Sequence, residues 1–295
     1  MHFDHRIFWL PKDIQNRDAY QDAFEVDAEN GIAAIADGVS SSLFAGRWAK
    51  TLAAGIVRDT PDIDDGNFKS WLTERRSGWL RSIDQNALAW HQKTKLQDGA
   101  STTLMWTKLT PQSSPSQPHY ELSCYCIGDC CLFHVRNDQV LRAFPLERSE
   151  LFDLTPEVIR SVVVAGDAPV AFDTLEDTVQ AGDLVVLCTD AAAVWALQRL
   201  EAGKSPNWEA IWNMSPVDWE RWVIRLREQD LIRYDDTTIV MLRPNVVATT
   251  PTITPPLMDE VKEQMIDTVE HVKDSMEKGI DALRDFMSPK KDKHR

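Results

Sequence analysis

Four aspartates, spread over most of this chain, stand where apolar runs begin or end, and a fold that brings them together must also supply a cation. They lie in Gln21-Asp22-Ala23-Phe24, Ala36-Asp37-Gly38, Cys188-Thr189-Asp190 and Asp235-Asp236-Thr237-Thr238. A lone aspartate after an apolar run only marks a turn. Four such ends mean more, because like charges at close range oppose ionisation and buried charges need partners. Convergent aspartates therefore predict a hard divalent metal.

The flanking residues set the local structure. Gly31-Ile32-Ala33-Ala34-Ile35-Ala36 is a continuous apolar run that reads as a buried strand delivering Asp37-Gly38 at its end. Gly38 lets the backbone approach an ion closely. From Leu43 to Ala54 the apolar positions recur at helical spacing, so the segment reads strand, turn, helix. Leu184 to Cys188 delivers Thr189-Asp190 in the same way, and Asp235-Asp236 opens the run Thr237 to Leu242. Strand ends hold ligands on rigid elements, as a metal site requires.

In order and context these segments resemble the metal-dependent protein serine/threonine phosphatases of type 2C, in their bacterial form, over roughly residues 10 to 243. Arg17, five residues before Asp22, resembles the family's opening motif; Asn16-Arg17-Asp18-Ala19 is a competing alignment without an arginine at that offset, which leaves Asp18 as the fallback. Ala36-Asp37-Gly38 is similar to the most diagnostic segment. Gly99-Ala100-Ser101-Thr102-Thr103-Leu104, Ile127-Gly128-Asp129, Thr189-Asp190 and Asp235-Asp236-Thr237-Thr238 follow in the family's order. The resemblance implies an α+β fold, a four-layer α-β-β-α sandwich of two antiparallel sheets with helices outside and metals at one end. It also implies metal ligands at Asp22, Asp37, the Gly38 carbonyl, Asp190 and Asp235, with Asp129 and Asp190 holding a looser third ion.

Oxygen-only ligation suits Mg²⁺ or Mn²⁺ better than zinc. Two such ions about 3.5–4 Å apart share and acidify a water that attacks phosphorus in line, so no phosphoenzyme is needed. Arg17 and Asp37 are the expected catalytic residues, the guanidinium of Arg17 holding the phosphoryl oxygens as a rigid fork. The expected function is hydrolysis of phosphoserine or phosphothreonine in a protein substrate that an opposing kinase modifies.

Two departures from the family pattern point elsewhere. Ala191 replaces the glycine of Thr-Asp-Gly, which would strain a left-handed turn. Val39 stands where many relatives carry a histidine proposed as general acid. Both leave open a pseudophosphatase that binds phosphoproteins as a scaffold, and a hydrolase of small phosphate esters is the third alternative.

With 295 residues, 43% hydrophobic, the chain can bury one core of about 240 residues plus an appendage. A net charge of −14 argues against nucleic acid. There is no run of eighteen apolar residues and no signal-peptide centre near Met1, so a cytoplasmic protein is expected and a membrane partner is not. Five cysteines fit a reducing compartment. Cys124, Cys126, Cys130 and Cys131 surround Gly128-Asp129, but their spacing matches no standard zinc pattern and reads as core packing beside a hairpin. Strands are expected over 120–127, 131–135, 160–165, 184–188 and 238–242, and helices over 43–57, 67–94 and 207–229. Residues 244–256 read as a Pro/Thr-rich linker. Residues 257–287 read as an amphipathic helix with one apolar stripe, suited to self-association or partner docking, and 288–295 as a basic tail.

Overall fold

The computed structural model describes residues 3–112, 119–152, 155–163 and 170–245. The expected linker from residue 246 on, the 257–287 helix and the basic tail lie outside the described residues; Pro244, expected to open the linker, ends the last strand instead.

Strands β1 (Phe3–Leu10), β2 (Ala23–Asp27) and β3 (Ile32–Ala36) are followed by helices α1 (Ala45–Asp59), α2 (Asp65–Arg81) and α3 (Trp90–Asp98). Next come β4 (Ser101–Thr102), β5 (Leu104–Gln112), β6 (His119–Ile127), β7 (Cys131–Arg136), β8 (Gln139–Phe144), β9 (Ile159–Arg160), β10 (Asp173–Gln180) and β11 (Leu184–Cys188). Helices α4 (Asp190–Glu201), α5 (Trp208–Trp212) and α6 (Pro216–Glu228) precede β12 (Thr237–Pro244).

The long strands form two antiparallel sheets of five. One has the order β1-β12-β11-β7-β8, the other β10-β6-β5-β3-β2, and β4 pairs with β9 beside them. Three apolar layers bind the sandwich together. Val185, Leu187, Val240 and Leu242 of the first sheet meet Ala33, Ile35, Met105, Leu122 and Cys124 of the second in the middle layer. On the outer face of the first sheet, Val186, Ile239 and Met241 pack against α4 and against Trp208, Trp212 and Trp219 of α5 and α6. On the outer face of the second, Ala34, Ala36, Leu104 and Trp106 pack under α1 and α2. This is the expected four-layer α-β-β-α architecture. It also explains why β3, β11 and β12 read as unbroken apolar runs, since both of their faces are covered.

Two expected helices are each broken. The 67–94 span divides at Ser82 into α2 and α3, with the Asp84 carboxylate accepting from the Asn86 amide in the intervening turn. The 207–229 span divides into α5 and α6, because Ser215 accepts the Asp218 amide at 3.2 Å as an N-cap and Pro216 takes the first helical turn. That Ser-Pro signal is visible in the sequence. Of the expected 160–165 strand, Arg160 lies in the short β9 and residues 161–163 in no strand, while 164–165 lie outside the described residues. All five cysteines are free and buried, Cys124 and Cys126 lying between the sheets, and burial pushes their thiols up, so they are packing groups. Among the described residues no helix is long and apolar enough to cross a membrane.

Candidate metal and phosphate site

Register alone brings five of the expected residues to one end of the sandwich. Ala23 pairs with Ala36, Leu104 with Ile127, and Cys188 with both Cys131 and Ile239. Asp22 therefore enters β2 where Asp37 leaves β3, Asp129 sits in the β6–β7 turn, Asp190 follows β11, and Asp235 precedes β12. Asp18, exposed on a 3-10 turn spanning Arg17–Ala19, is not part of this convergence of strand ends, so Asp22 is the aspartate that the fold delivers there.

Each aspartate is held by residues of the motifs around it. Asp22 is 4% exposed, and its Oδ2 accepts from Thr238 Oγ1 at 2.6 Å and Thr189 Oγ1 at 3.0 Å. Because the Thr238 hydroxyl hydrogen goes to Asp22, the Tyr20 hydroxyl, 2.5 Å from Thr238 Oγ1, must donate to it. A relay of donors thus runs Tyr20, Thr238, Asp22. The peptide of Asp37 is gripped from both sides: its N–H donates to Thr103 Oγ1 at 3.0 Å, and its carbonyl accepts from Thr102 Oγ1 at 2.7 Å and the Thr103 N–H at 2.9 Å. Gly38 is required by crowding, for a Cβ there would lie 2.6 Å from the Gln21 carbonyl oxygen and 2.9 Å from the Ala45 carbonyl carbon. Gly128 turns the hairpin before Asp129 at φ +100°.

Asp190 opens α4, where the helix dipole favours a carboxylate. Ala191 beside it is a buried helical residue, so the strain expected from replacing a left-handed glycine does not arise. The closing pair divides its work. Asp235 is partly exposed, with Lys12 Nζ 3.4 Å from its Oδ1. Asp236, 8% exposed, spends both oxygens on backbone, accepting the Lys12 N–H at 2.6 Å and the Gln21 N–H at 2.7 Å. Beneath them Arg227 of α6 donates to the carbonyls of Leu10, Pro11 and Asp235 and to Thr237 Oγ1.

The electrostatics record the crowding. Burial, and then the charges of Asp22, Asp190, Asp129 and Asp235, push the Asp37 carboxyl well up. Burial and Asp236 do the same to Asp22, burial raises Asp190, and burial followed by Asp190 lifts Asp129 to about 6. Asp22 Oδ1 and Asp190 Oδ1 are buried without any hydrogen-bond partner. As placed, no three His, Cys, Asp or Glu side chains among the described residues form a ready-made ion cage. The donor chemistry nonetheless fits hard divalent ions: oxygen-only ligands, two orphaned buried carboxylate oxygens, and ionisation opposed until a cation arrives.

Arg17 engages other groups. Its Nη2 donates to Glu220 Oε2 at 2.9 Å, and its guanidinium lies 6.0 Å from the centre of the Trp9 ring. The cations that do touch the aspartates are Lys12 and Arg233, whose Nη1 donates to Asp190 Oδ2 at 2.9 Å. Neither, nor Tyr20 or Arg227, is singled out by a motif, and Asp236 stood in the closing motif without a role. The motif threonines Thr102, Thr103, Thr189 and Thr238 were visible, but as spacing marks without a role. A cavity of about 340 Å³ adjoins Asp22 through Tyr20 and Gln21, with Phe44 and Arg47 on its other wall.

No sequence-family model and no curated protein matches the chain. Solved structures do match its fold. The photosystem II phosphatase PBCP aligns at 15% identity over 82% of this chain and 98% of its own, with a TM-score of 0.50. The catalytic domain of the serine/threonine protein phosphatase PstP, solved with two manganese ions, aligns at 14% identity over 82% and 98%, also at 0.50. The fold is that of the type 2C phosphatases.

Proposed function

We propose that the protein is a metal-dependent phosphatase that removes phosphate from serine or threonine of a cytoplasmic protein substrate. The observation that carries this reading is the convergence of buried, partly unpaired aspartates at the end of a sandwich whose fold the solved phosphatases share.

Asp22, Asp37, the Gly38 carbonyl, Asp190 and Asp235 would hold two Mn²⁺ or Mg²⁺ ions. When bound, such a pair supplies Lewis-acid polarisation of the phosphoryl group and an acidified water. The chain's own part is to position. Thr189 and Thr238 fix one oxygen of Asp22 and leave the other presented. Thr102 and Thr103 immobilise the Asp37 peptide. Asp236 and Arg227 tie the Lys12 and Gln21 segments to the closing loop. Arg17 is paired with Glu220 at the surface, where ion pairs are weak, so its guanidinium can exchange that partner for phosphoryl oxygens. With Val39 in the place of a histidine, we assign protonation of the leaving group to solvent.

The test is hydrolysis of an aryl phosphate and a phosphothreonine peptide, with and without Mn²⁺, by the full chain, Asp37→Asn and Asp235→Asn. Expected is metal-dependent turnover that each substitution lowers by more than about 100-fold, beyond the usual effect of losing an outer-shell partner. Turnover of the aryl ester alone would favour the small-ester hydrolase. Phosphopeptide binding without turnover would favour the scaffold, a reading supported by one observation: the chain places its own cation, Arg233, on Asp190.

A further inference from the structure

The resemblance reserves Asp129 and Asp190 for a third, looser ion, and Arg233 stands in that place. Its Nη1 lies 2.9 Å from Asp190 Oδ2, and the Asp190 side chain is only 16% exposed. The Arg233 side chain is 39% exposed, and two contacts besides Asp190 place it. The Asp235 N–H donates to the Arg233 carbonyl at 3.0 Å, the neighbouring Ile232 is buried, and the guanidinium lies 5.6 Å from the centre of the Phe152 ring.

We propose that Arg233 is the counter-ion of the Asp190 carboxylate, so that the chain takes up two divalent ions and excludes the third. This rests on the metal-dependent reading above. The charges decide it. A divalent ion between Asp129 and Asp190 would sit against a guanidinium already bound there, three positive charges facing two carboxylates, and arginine cannot yield by losing its proton. Lys12 is the contrast. It meets Asp235 at 3.4 Å with both side chains more than 40% exposed, whereas Arg233, 39% exposed itself, meets at 2.9 Å a carboxylate that is only 16% exposed. Each end of the aspartate cluster thus has its own cation, and the one at Asp190 lies closer and on the more buried carboxylate.

Mn²⁺ titration of the full chain, counting bound ions by the loss of the free-ion resonance signal, tests this without any turnover. Two ions are expected for the wild type and for Arg233→Lys, which keeps the charge. Arg233→Met should bind three, the third more weakly, and adding Asp129→Asn to it should restore two. Three ions in the wild type, or two in a folded Arg233→Met, would overturn the proposal while leaving the binuclear reading intact. No ion bound by the wild type would overturn both. Should Arg233→Met fail to fold, Asp129→Asn alone decides: a count unchanged at two supports Arg233, and a fall of one ion refutes it.

Discussion

Asp22 and Asp183 are almost equally buried, 4% and 3% exposed, yet their carboxyls are driven in opposite directions. Asp183 stands at the other end of β11 from Asp190. Burial alone would raise it too, but hydrogen bonds from Arg136 at 2.8 Å to both oxygens, from His134 at 2.9 Å and from the Gln180 N–H bring it below its ordinary value of 3.8. His134 carries the contact across to the second sheet, where its Nδ1 lies 3.0 Å from Asp177 Oδ2. At the site end, Asp22 has two threonine hydroxyls and one orphaned oxygen, and it stays raised. The chain supplies cations where a carboxylate serves the fold. Where it withholds them, as at Asp22, the carboxyl is left raised and one of its oxygens unpaired.

The largest effect that can break this contrast is metal binding. Mn²⁺ at a hundred times its Kd should stabilise the protein by about 2.7 kcal/mol per ion, seen as a rise in Tm. Asp37→Asn should lose most of that rise, and Asp183→Asn should keep it. Next in size, Asp183→Asn should cost about 3 kcal/mol in denaturant unfolding, since it leaves Arg136 and His134 without their shared partner. The sign with pH follows from a lowered carboxyl: its contribution is complete above 3.8 and is lost as pH falls through the lower folded value. The gap between wild type and Asp183→Asn should therefore close in acid, and a constant gap would refute the network's electrostatic role.

Smaller, and opposite in sign, is Asp37→Asn without metal. Removing one of several crowded carboxylates should stabilise the apoprotein at neutral pH by roughly 1–2 kcal/mol, and a loss there would mean that the cluster is already neutralised internally. Smallest is Ala191→Gly. Restoring the family's glycine should cost about 1 kcal/mol of stability, because the position is helical.

The site end was more legible in the sequence than the far end. Asp22, Asp37, Asp129, Asp190 and Asp235 were visible because each stands at the boundary between an apolar run and a turn, a pattern that a single sequence carries. Tyr20, Arg227 and Arg233 were not, since each acts through contacts set only when distant strands align; Asp236 stood in the closing motif, but its grip on the Lys12 and Gln21 amides did not show there. His134 reads as an ordinary strand residue, and only the pairing of β7 with β11, which brings Asp183, and its approach to β10, which brings Asp177, reveal its two carboxylate partners. The strands with both faces covered were readable from their apolar runs; β1, β8 and β10 were not, because their exposed faces interrupt the pattern. The helix breaks at Ser82 and Ser215 were lost to windows longer than the turns that separate the helices.

Arg227 joins the carbonyls of Leu10 and Pro11 to that of Asp235, and β1 finds its neighbour only in β12. On a ribosome adding 5–20 residues each second, Asp22 is made roughly 10–40 s before Asp235. Through that interval Asp22 lacks the Thr189 and Thr238 hydroxyls that hold it in the folded domain. The crowding of carboxylates at this end is complete only when β12 closes against β1.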